Sequence, residues 1–430
     1  MRDLWQKILG ASAARFYSLA VSLVTLAITA RLLGPEGRGT VAAVTTWTTL
    51  FMTFGYLSLG HVALHHATEK RGTDWLGETL GSLLSLTAIL TLAGWTVAFG
   101  LYIGTEGAAF KGLSSSILIV GFLSLPLLIW EQYGSSLLTA RDRVSVYNRA
   151  QVVGRTLGLI LLLVLVVNLR LGVMGALLAM IGSQAMVALG GLRVLIREAK
   201  AESRVRPTRA TTKALLTGGL KLHLNAIGSF LFLYTDVLIV NHYRGNAETG
   251  FYQLAVQLLS MLLIPAQAAI SILASRMAQQ GPDEAWKAQR KVVLSMMCGI
   301  GVIGVFAYLL APFCVGLLGS GKFLPAAGVF RVMLPNIFGM TLSVLLVPQW
   351  IGRGLFVQAS VCTLLTGTVN LISNLILVPR FGMYGSAWAT VGTYVVSLLI
   401  NLGFIVWIEG RSRSTLLATE IYPSTKPINP

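Results

Sequence analysis

The sequence is poor in charge, in acidic residues and in cysteine. Asp, Glu, Lys and Arg make up 11% of its 430 residues, whereas about 25% is usual for a soluble domain. The three cysteines, Cys298, Cys314 and Cys362, lie inside apolar stretches, which indicates small buried side chains and not a disulfide set. This composition excludes a water-soluble enzyme and gives no indication of redox chemistry.

Long polar segments are also missing. Apolar residues make up 55% of the chain, and a helix needs about 20 of them to cross roughly 30 Å of hydrocarbon. The sequence therefore predicts an all-α membrane protein with about twelve transmembrane helices. These predicted spans cover roughly residues 13–33, 40–62, 79–103, 113–138, 148–169, 172–193, 218–241, 250–274, 292–318, 330–351, 355–378 and 383–408.

Acidic residues are scarce relative to basic ones, at 16 Asp and Glu against 33 Lys and Arg, a net charge of +17. The basic residues lie between the spans and form no basic domain, so nucleic acid is not predicted as a partner. With the N-terminus inside, the inner segments hold about three times as many Lys and Arg as the outer ones. This bias predicts a multi-pass protein of the inner membrane with both termini in the cytoplasm.

Two pairs of segments repeat at nearly one spacing. The segment from Arg31 to Val44 resembles that from His242 to Val256 at an offset of 211, and Val166 to Gly182 resembles Ile376 to Gly392 at 210. This offset spans six predicted helices, an even number, so both halves enter the membrane in the same direction. The sequence therefore predicts two six-helix lobes related by a pseudo-two-fold axis along the membrane normal. The predicted divisions are a first lobe at 1–198, a basic cytoplasmic linker at 199–213, a second lobe at 214–410 and a cytoplasmic tail at 411–430.

Polar side chains recur at helical spacing on spans 1, 5, 7 and 8. At 100° per residue, the polar positions of each span fall within one narrow arc. Lipid offers such groups no partner, so these faces meet protein or water. A packing seam of small polar residues is the alternative, but the charged and amide side chains favour a wet cavity. The candidate cavity residues on these faces are Arg15, Gln151, Arg155, Lys221, Asn225, Gln253 and Gln257.

Two acids also lie within the predicted spans. Glu131 and Asp236 are candidates either for coupling to a proton or sodium ion or for structural pairing with arginine. Because basic residues outnumber acidic ones on the polar faces, the cavity should be electropositive and suited to an anion such as phosphate. No cluster of residues has the spacing of a metal site, and no cofactor is predicted.

Four segments, taken in order along a chain of twelve spans, resemble one family. The chain resembles the polysaccharide transporter, or lipid-linked oligosaccharide flippase, branch of the multidrug/oligosaccharidyl-lipid/polysaccharide exporter superfamily. The resemblance covers most of the chain. It rests on ARLLGPEGRGTVA at Ala30 to Ala42, TDVLIVNHYRGNAETGFYQLA at Thr235 to Ala255, LLGSGKFLPAAGVFRVMLP at Leu317 to Pro335 and LVPRFGMYGSAWATVGTY at Leu377 to Tyr394.

The resemblance implies a non-enzymatic flippase with a cationic central cavity. Its lobes would rock while a polyprenyl-pyrophosphate-linked oligosaccharide crosses to the outer leaflet, for O-antigen, capsule or exopolysaccharide export. The implied partners are this lipid-linked glycan, membrane lipids, a polysaccharide polymerase and chain-length regulators. Placement and charge assign the pyrophosphate contacts to Arg15, Arg149, Arg155 and Lys221.

Two other functions remain open at this point. An ion-coupled multidrug antiporter of the same superfamily would want acidic cavity walls, and the spans offer only Glu131 and Asp236. A membrane polysaccharide polymerase or ligase would be expected to carry a sizeable outer catalytic loop. No segment between the predicted spans is long enough to form one.

Overall fold

The computed structural model describes the backbone of residues 2–69, 75–202 and 204–421. Side chains are described at residues 17, 20–67, 75–202, 204–270 and 272–410. Within these ranges the regular structure is helical and contains no strand. The all-α prediction is confirmed.

Thirteen α-helices follow one another in the described ranges, with a π-helical turn at Leu163–Asn168 extending the sixth. Their bounds are α1 Arg2–Gly55, α2 Leu59–Glu69, α3 Trp75–Gly104, α4 Ser115–Phe122, α5 Leu125–Ala140, α6 Val144–Leu162, α7 Gly172–Glu202, α8 Arg209–Leu233, α9 Thr235–Leu262, α10 Ile264–Gly319, α11 Leu324–Met333, α12 Asn336–Gly352 and α13 Phe356–Ile421.

Four of these helices are interrupted by one non-helical glycine each: Gly34 in α1, Gly245 in α9, Gly281 in α10 and Gly382 in α13. Six helices, or eight if two bent pairs are each one span, are long and apolar enough to cross a membrane. Dividing the interrupted helices at their glycines, and joining short consecutive helices, gives the twelve predicted spans. The chain is a multi-pass membrane protein.

The internal repeat is visible in the backbone angles. Gly34 has φ 66° and ψ −176°, and its repeat partner Gly245 has φ 81° and ψ −174°. The second pair, Gly172 and Gly382, has φ 56° and 59°. Such left-handed values favour glycine because a Cβ atom would be strained there. We call the end of the bundle that holds these four turns the elbow end, and the opposite end, with residues 204–208, the linker end.

At the elbow end the backbones of the two lobes come into direct contact. A Cβ atom on Gly39 would collide with the carbonyl group of Asn246, and a Cβ atom on Gly250 would collide with that of Pro35. Pro35 and Asn246, like Gly39 and Gly250, are partners in the repeat. The contact is therefore reciprocal, as a two-fold axis between Gly39 and Gly250 requires.

The buried side chains form three cores. One core belongs to the first lobe and includes Leu80, Leu125 and Tyr133. The second lobe contains two, one nearer the elbow end around Tyr252 and one nearer the linker end around Leu345. The elbow-end core also receives residues of α1, so the lobes share packed apolar surface there.

The segment between the lobes is mostly helical. α7 runs to Glu202 and α8 begins at Arg209, where the side chain of the N-cap residue Thr208 accepts a hydrogen bond from the Thr211 amide. Helix therefore covers most of the linker predicted at 199–213. The division into 1–198, 214–410 and the tail at 411–430 stays a prediction.

Ion pairs join the helices of the first lobe at the linker end. The guanidinium group of Arg141 lies 3.2 Å from Glu198 and also contacts Glu202, and Arg143 lies 2.7 Å from Glu198. Burial lowers the pKa of Arg141, but hydrogen bonds and the charges of Glu198 and Glu202 outweigh it and raise this pKa above its usual value. These contacts tie the turn after α5 to the end of α7.

Candidate functional site

A cavity of about 640 Å³ lies between the two lobes. Its walls come from α1, α6 and α7 of the first lobe and from α8, α9, α11, α12 and α13 of the second. The backbone contact between Gly39 and Asn246 lies at its elbow end. Of the residues predicted to line a cavity, the structure brings together Gln151, Arg155, Gln253 and Gln257, and the predicted coupling or pairing candidate Asp236 lines the same cavity.

Arg155 projects from α6 into this cavity. Its Nη1 atom donates to the Ser22 hydroxyl at 3.0 Å, and its Nε atom lies 3.5 Å from the side-chain oxygen of Gln151. Ser22 is on α1, so Arg155 connects two helices of the same lobe. These hydrogen bonds hold the guanidinium group at the cavity wall.

Glu131 lies behind this wall and fixes Gln151. Its Oε1 atom accepts hydrogen bonds from the Tyr147 hydroxyl at 2.9 Å and from Gln151 Nε2 at 2.8 Å, and its Oε2 atom accepts from Gln184. Glu131 was predicted to serve either ion coupling or pairing with an arginine. Its contact with Arg155 runs through the amide of Gln151, which donates to Glu131 and accepts from Arg155.

Asp236 is the acid of the second lobe that lines the cavity, with 4% of its surface exposed. Its Oδ2 atom accepts a hydrogen bond from the Tyr252 hydroxyl at 2.5 Å, and its Oδ1 atom accepts from the Val237 amide at 2.8 Å. The Tyr252 hydroxyl is also 3.2 Å from the hydroxyl of Thr390. Among the described side chains, no Lys or Arg nitrogen lies within 4 Å of this carboxylate.

Arg38 also lines the cavity, and sequence reasoning missed it. It was counted with the segment between spans because GPEGRG has the composition of a turn. The helix resumes at Pro35, a residue suited to a first helical position, so Arg38 lies in the first turn after the break. Its Nη1 atom donates to Thr29 at 2.9 Å and its Nη2 atom donates to Gln257.

Four predicted residues are not among those lining the cavity. Arg149, Lys221 and Asn225 are exposed and lie toward the linker end on α6 and α8. The side chain of Arg15 lies outside the described residues. The part of these four residues in binding stays a prediction.

Twelve spans in two related lobes around a polar central cavity define a transporter-type membrane protein. The sequence matches the family described as "Polysaccharide biosynthesis protein" over residues 4–274, more than half of the chain. The chain belongs to this family.

The fold is that of transporters and flippases of the MOP superfamily. The Lipid II flippase MurJ in an inward closed conformation superposes with a TM-score of 0.73, at 13% identity, over 97% of this chain and 93% of that one. An inward-facing multidrug resistance MATE family transporter superposes with a TM-score of 0.72, at 15% identity, over 92% and 95%. These likenesses concern the fold and the arrangement of the lobes.

One curated relative is an uncharacterized membrane protein of Methanocaldococcus jannaschii. It is 21% identical over 210 residues, which are 48% of this chain. The match spans 41% of that relative's length. About half of the chain is thus similar in sequence to this membrane protein.

Proposed function

We propose that the chain is a flippase for a polyprenyl-pyrophosphate-linked oligosaccharide. It moves this lipid from the cytoplasmic to the outer leaflet of the bacterial inner membrane by alternating access, for O-antigen, capsule or exopolysaccharide export. Three findings support the proposal: the family match, the fold shared with a lipid flippase, and the charge of the cavity.

The observation that carries the proposal is the position of Arg155. Its side chain faces the cavity, and hydrogen bonds to Ser22 and Gln151 orient its guanidinium group toward a ligand there. Guanidinium groups bind phosphate oxygens in pairs and with charge assistance. Two arginines and one carboxylate are the ionised groups among the lining residues, which favours an anionic headgroup.

We assign the linker end to the cytoplasm. The basic residues concentrate there, and positively charged segments are retained on the cytoplasmic side. The lobes touch at the elbow end, so this structure corresponds to a state whose periplasmic side is closed. The lobes also touch nearer the linker end, where the Ser58 hydroxyl lies 3.2 Å from His223 Nδ1, so a lipid-linked glycan would enter from the cytoplasmic leaflet once that contact opens.

We assign coupling to Asp236 and a structural part to Glu131. Asp236 lies at the cavity with one tyrosine and one backbone amide as donors, so a proton or a sodium ion can compete for its oxygens. Glu131 is occupied by three side-chain donors and holds Gln151 for Arg155. A proton or sodium gradient acting on Asp236 would drive the cycle in one direction.

The experiment that tests the proposal replaces Arg155 in cells. Arg155→Ala should abolish surface glycan and leave lipid-linked glycan in the cytoplasmic leaflet, while the protein remains at normal level in the membrane. Arg170→Ala is the matched control because Arg170 is an exposed arginine in the turn after the π-helix, and it should leave surface glycan unchanged. Normal glycan from a well-expressed Arg155→Ala variant would refute the cavity assignment.

A multidrug antiporter is the second candidate, favoured by the aromatic rings of Tyr234 and Tyr394 beside Asp236 on the cavity wall. Organic cations bind to such rings and to carboxylates. For this function, Asp236→Asn should remove resistance to cationic drugs and Arg155→Ala should not. The flippase proposal predicts no change in drug resistance for either variant.

A further inference from the structure

Arg38 is an arginine without a counter-charge at the closed end of the cavity. Its Nη1 and Nη2 atoms donate to the side-chain oxygens of Thr29 and Gln257, which are neutral. Its Nε atom is inaccessible to solvent and has no acceptor. Within the described part of the chain, no carboxylate oxygen lies within 4 Å of its guanidinium group.

This arrangement is costly for a residue inside a membrane protein. Charged side chains within membrane spans are costly, and neutral acceptors recover less of that cost than an anion does. A buried donor with no acceptor adds a further penalty. The guanidinium group therefore favours any anion that can reach it through the cavity.

The partners of Arg38 come from both lobes. Thr29 is on α1, as Arg38 is, whereas Gln257 is on α9 of the second lobe. The neighbouring residue Gly39 makes the backbone contact with Asn246 that closes the elbow end. The hydrogen bond from Arg38 to Gln257 therefore joins the two lobes next to this backbone contact.

The wall opposite Arg38 also has an unfilled polar group. Gln253 lies one helical turn from Gln257 on α9 and lines the same cavity, and its side-chain oxygen is buried without a donor. Buried polar groups in native proteins are normally paired. A spare donor on one lobe and a spare acceptor on the other indicate that this end of the cavity is built for a polar ligand.

We propose that Arg38 is a second phosphate-binding position, at which an oxygen of the substrate's pyrophosphate replaces the side-chain oxygen of Gln257. The inference rests on the proposed function and extends it from the middle of the cavity, at Arg155, to its elbow end. Because the displaced bond joins the lobes, the arrival of pyrophosphate at Arg38 removes a contact that keeps the elbow end closed. Gln257 holds the arginine until the substrate arrives.

Binding of farnesyl pyrophosphate to the purified protein tests this assignment, with farnesol as the uncharged control. Arg38→Gln should weaken binding about tenfold, since one charge-assisted contact is lost. Gln257→Ala should tighten binding several-fold because the competing acceptor is gone. Arg331→Gln is the matched control: Arg331 also lies toward the elbow end, but it donates to the Tyr308 carbonyl within its own lobe. The Arg331→Gln variant should bind farnesyl pyrophosphate with the same affinity as the unaltered protein.

The outcomes separate this inference from the proposed function. If Arg155→Gln loses affinity while Arg38→Gln keeps it, the second position is refuted and the flippase proposal stands. If Gln257→Ala weakens binding, Gln257 is itself a ligand and the exchange is refuted. If the unaltered protein binds farnesol as well as farnesyl pyrophosphate, the anionic substrate of the proposed function is refuted as well.

Discussion

Near the cavity, the first lobe holds the carboxylate of Glu131 among three neutral side-chain donors, whereas the second lobe holds that of Asp236 against a single tyrosine side chain. The first lobe has Arg155 on the cavity wall, hydrogen-bonded to Gln151. At the matching position of the second lobe, 210 residues later, stands the uncharged residue Leu365. The backbones of the two lobes nevertheless break at matching glycines. The two lobes thus share their backbone turns and differ in their polar side chains, and the proposed division assigns anion binding to the first lobe and ion coupling to the second.

The backbone contact between the lobes at the elbow end gives the largest predicted effect, on the stability of the closed state. Gly39→Ala and Gly250→Ala each place a methyl group against a carbonyl of the other lobe, where neither backbone can retreat. Each should disfavour the closed elbow end by about 3 kcal/mol, at the upper end of overpacking costs. Labelling of a cysteine at Thr29 by a membrane-impermeant reagent should increase from the periplasmic side, in a background without native cysteines.

Gly392→Ala is the control for this pair, because a Cβ atom at Gly392 meets no atom within 4 Å. It should leave labelling unchanged. Equal effects from Gly39→Ala and Gly250→Ala would support the reciprocal contact. An effect from only one of them would contradict the two-fold relation of the lobes.

The acid of the first lobe gives the next largest effect. Glu131→Leu leaves the donors of Tyr147, Gln151 and Gln184 without their acceptor, which should lower the free energy of unfolding by about 2 kcal/mol. Glu131→Gln keeps one carbonyl oxygen and should cost about half as much. Thermal unfolding in detergent measures both, and a Glu131→Leu variant as stable as the unaltered protein would contradict the structural part of Glu131.

The acid of the second lobe should affect transport more than stability. Asp236→Asn keeps an oxygen for the Tyr252 hydroxyl, so the free energy of unfolding should change by less than about 1 kcal/mol. Transport in vesicles should no longer respond to an imposed proton or sodium gradient. A response that persists in Asp236→Asn and disappears in Glu131→Gln would reverse the division between the lobes.

The smallest effect concerns the linker end. Arg141→Gln removes ion pairs to Glu198 and Glu202 that are partly exposed, and such pairs contribute about 0.2–1 kcal/mol. Its acidic neighbours raise the pKa of Arg141 above its usual value, so its contribution is fully present below that usual value and would be lost only as the pH rises through the higher folded value. Stability should therefore depend on salt and not on pH between 6 and about 9. Unfolding temperatures across that range check this.

The sequence was sufficient to predict the twelve spans and the related lobes, whereas the part of the candidate residues in binding stays a prediction. Long apolar runs must be helical in lipid, and the common offset of the glycine-containing segments identified the turns at Gly34 and Gly245. Helical periodicity placed Gln151, Arg155 and Asp236 on faces that do line the cavity. These signals are local in the chain, which is why they can be read from one sequence.

The position of a residue along the membrane normal and its contacts with distant residues could not be predicted in this way. Lys221 and Asn225 share a helical face with Asp236, but they lie roughly 16 Å or more from it along the axis, beyond the residues that line the cavity. Arg38 was assigned to a turn because a glycine-rich segment does not reveal that the helix restarts at Pro35. Its partner Gln257 is 219 residues away, and such a contact depends on how the lobes pack.

The most direct test of the central claim is a flipping assay in proteoliposomes. A fluorescent polyprenyl-pyrophosphate-linked oligosaccharide is placed in both leaflets, and a membrane-impermeant reductant quenches only the outer leaflet. With the unaltered protein, the inner-leaflet signal should fall as lipid crosses to the outer leaflet, and Arg155→Ala should leave that signal protected. Equal rates of quenching for the two proteins would contradict the account.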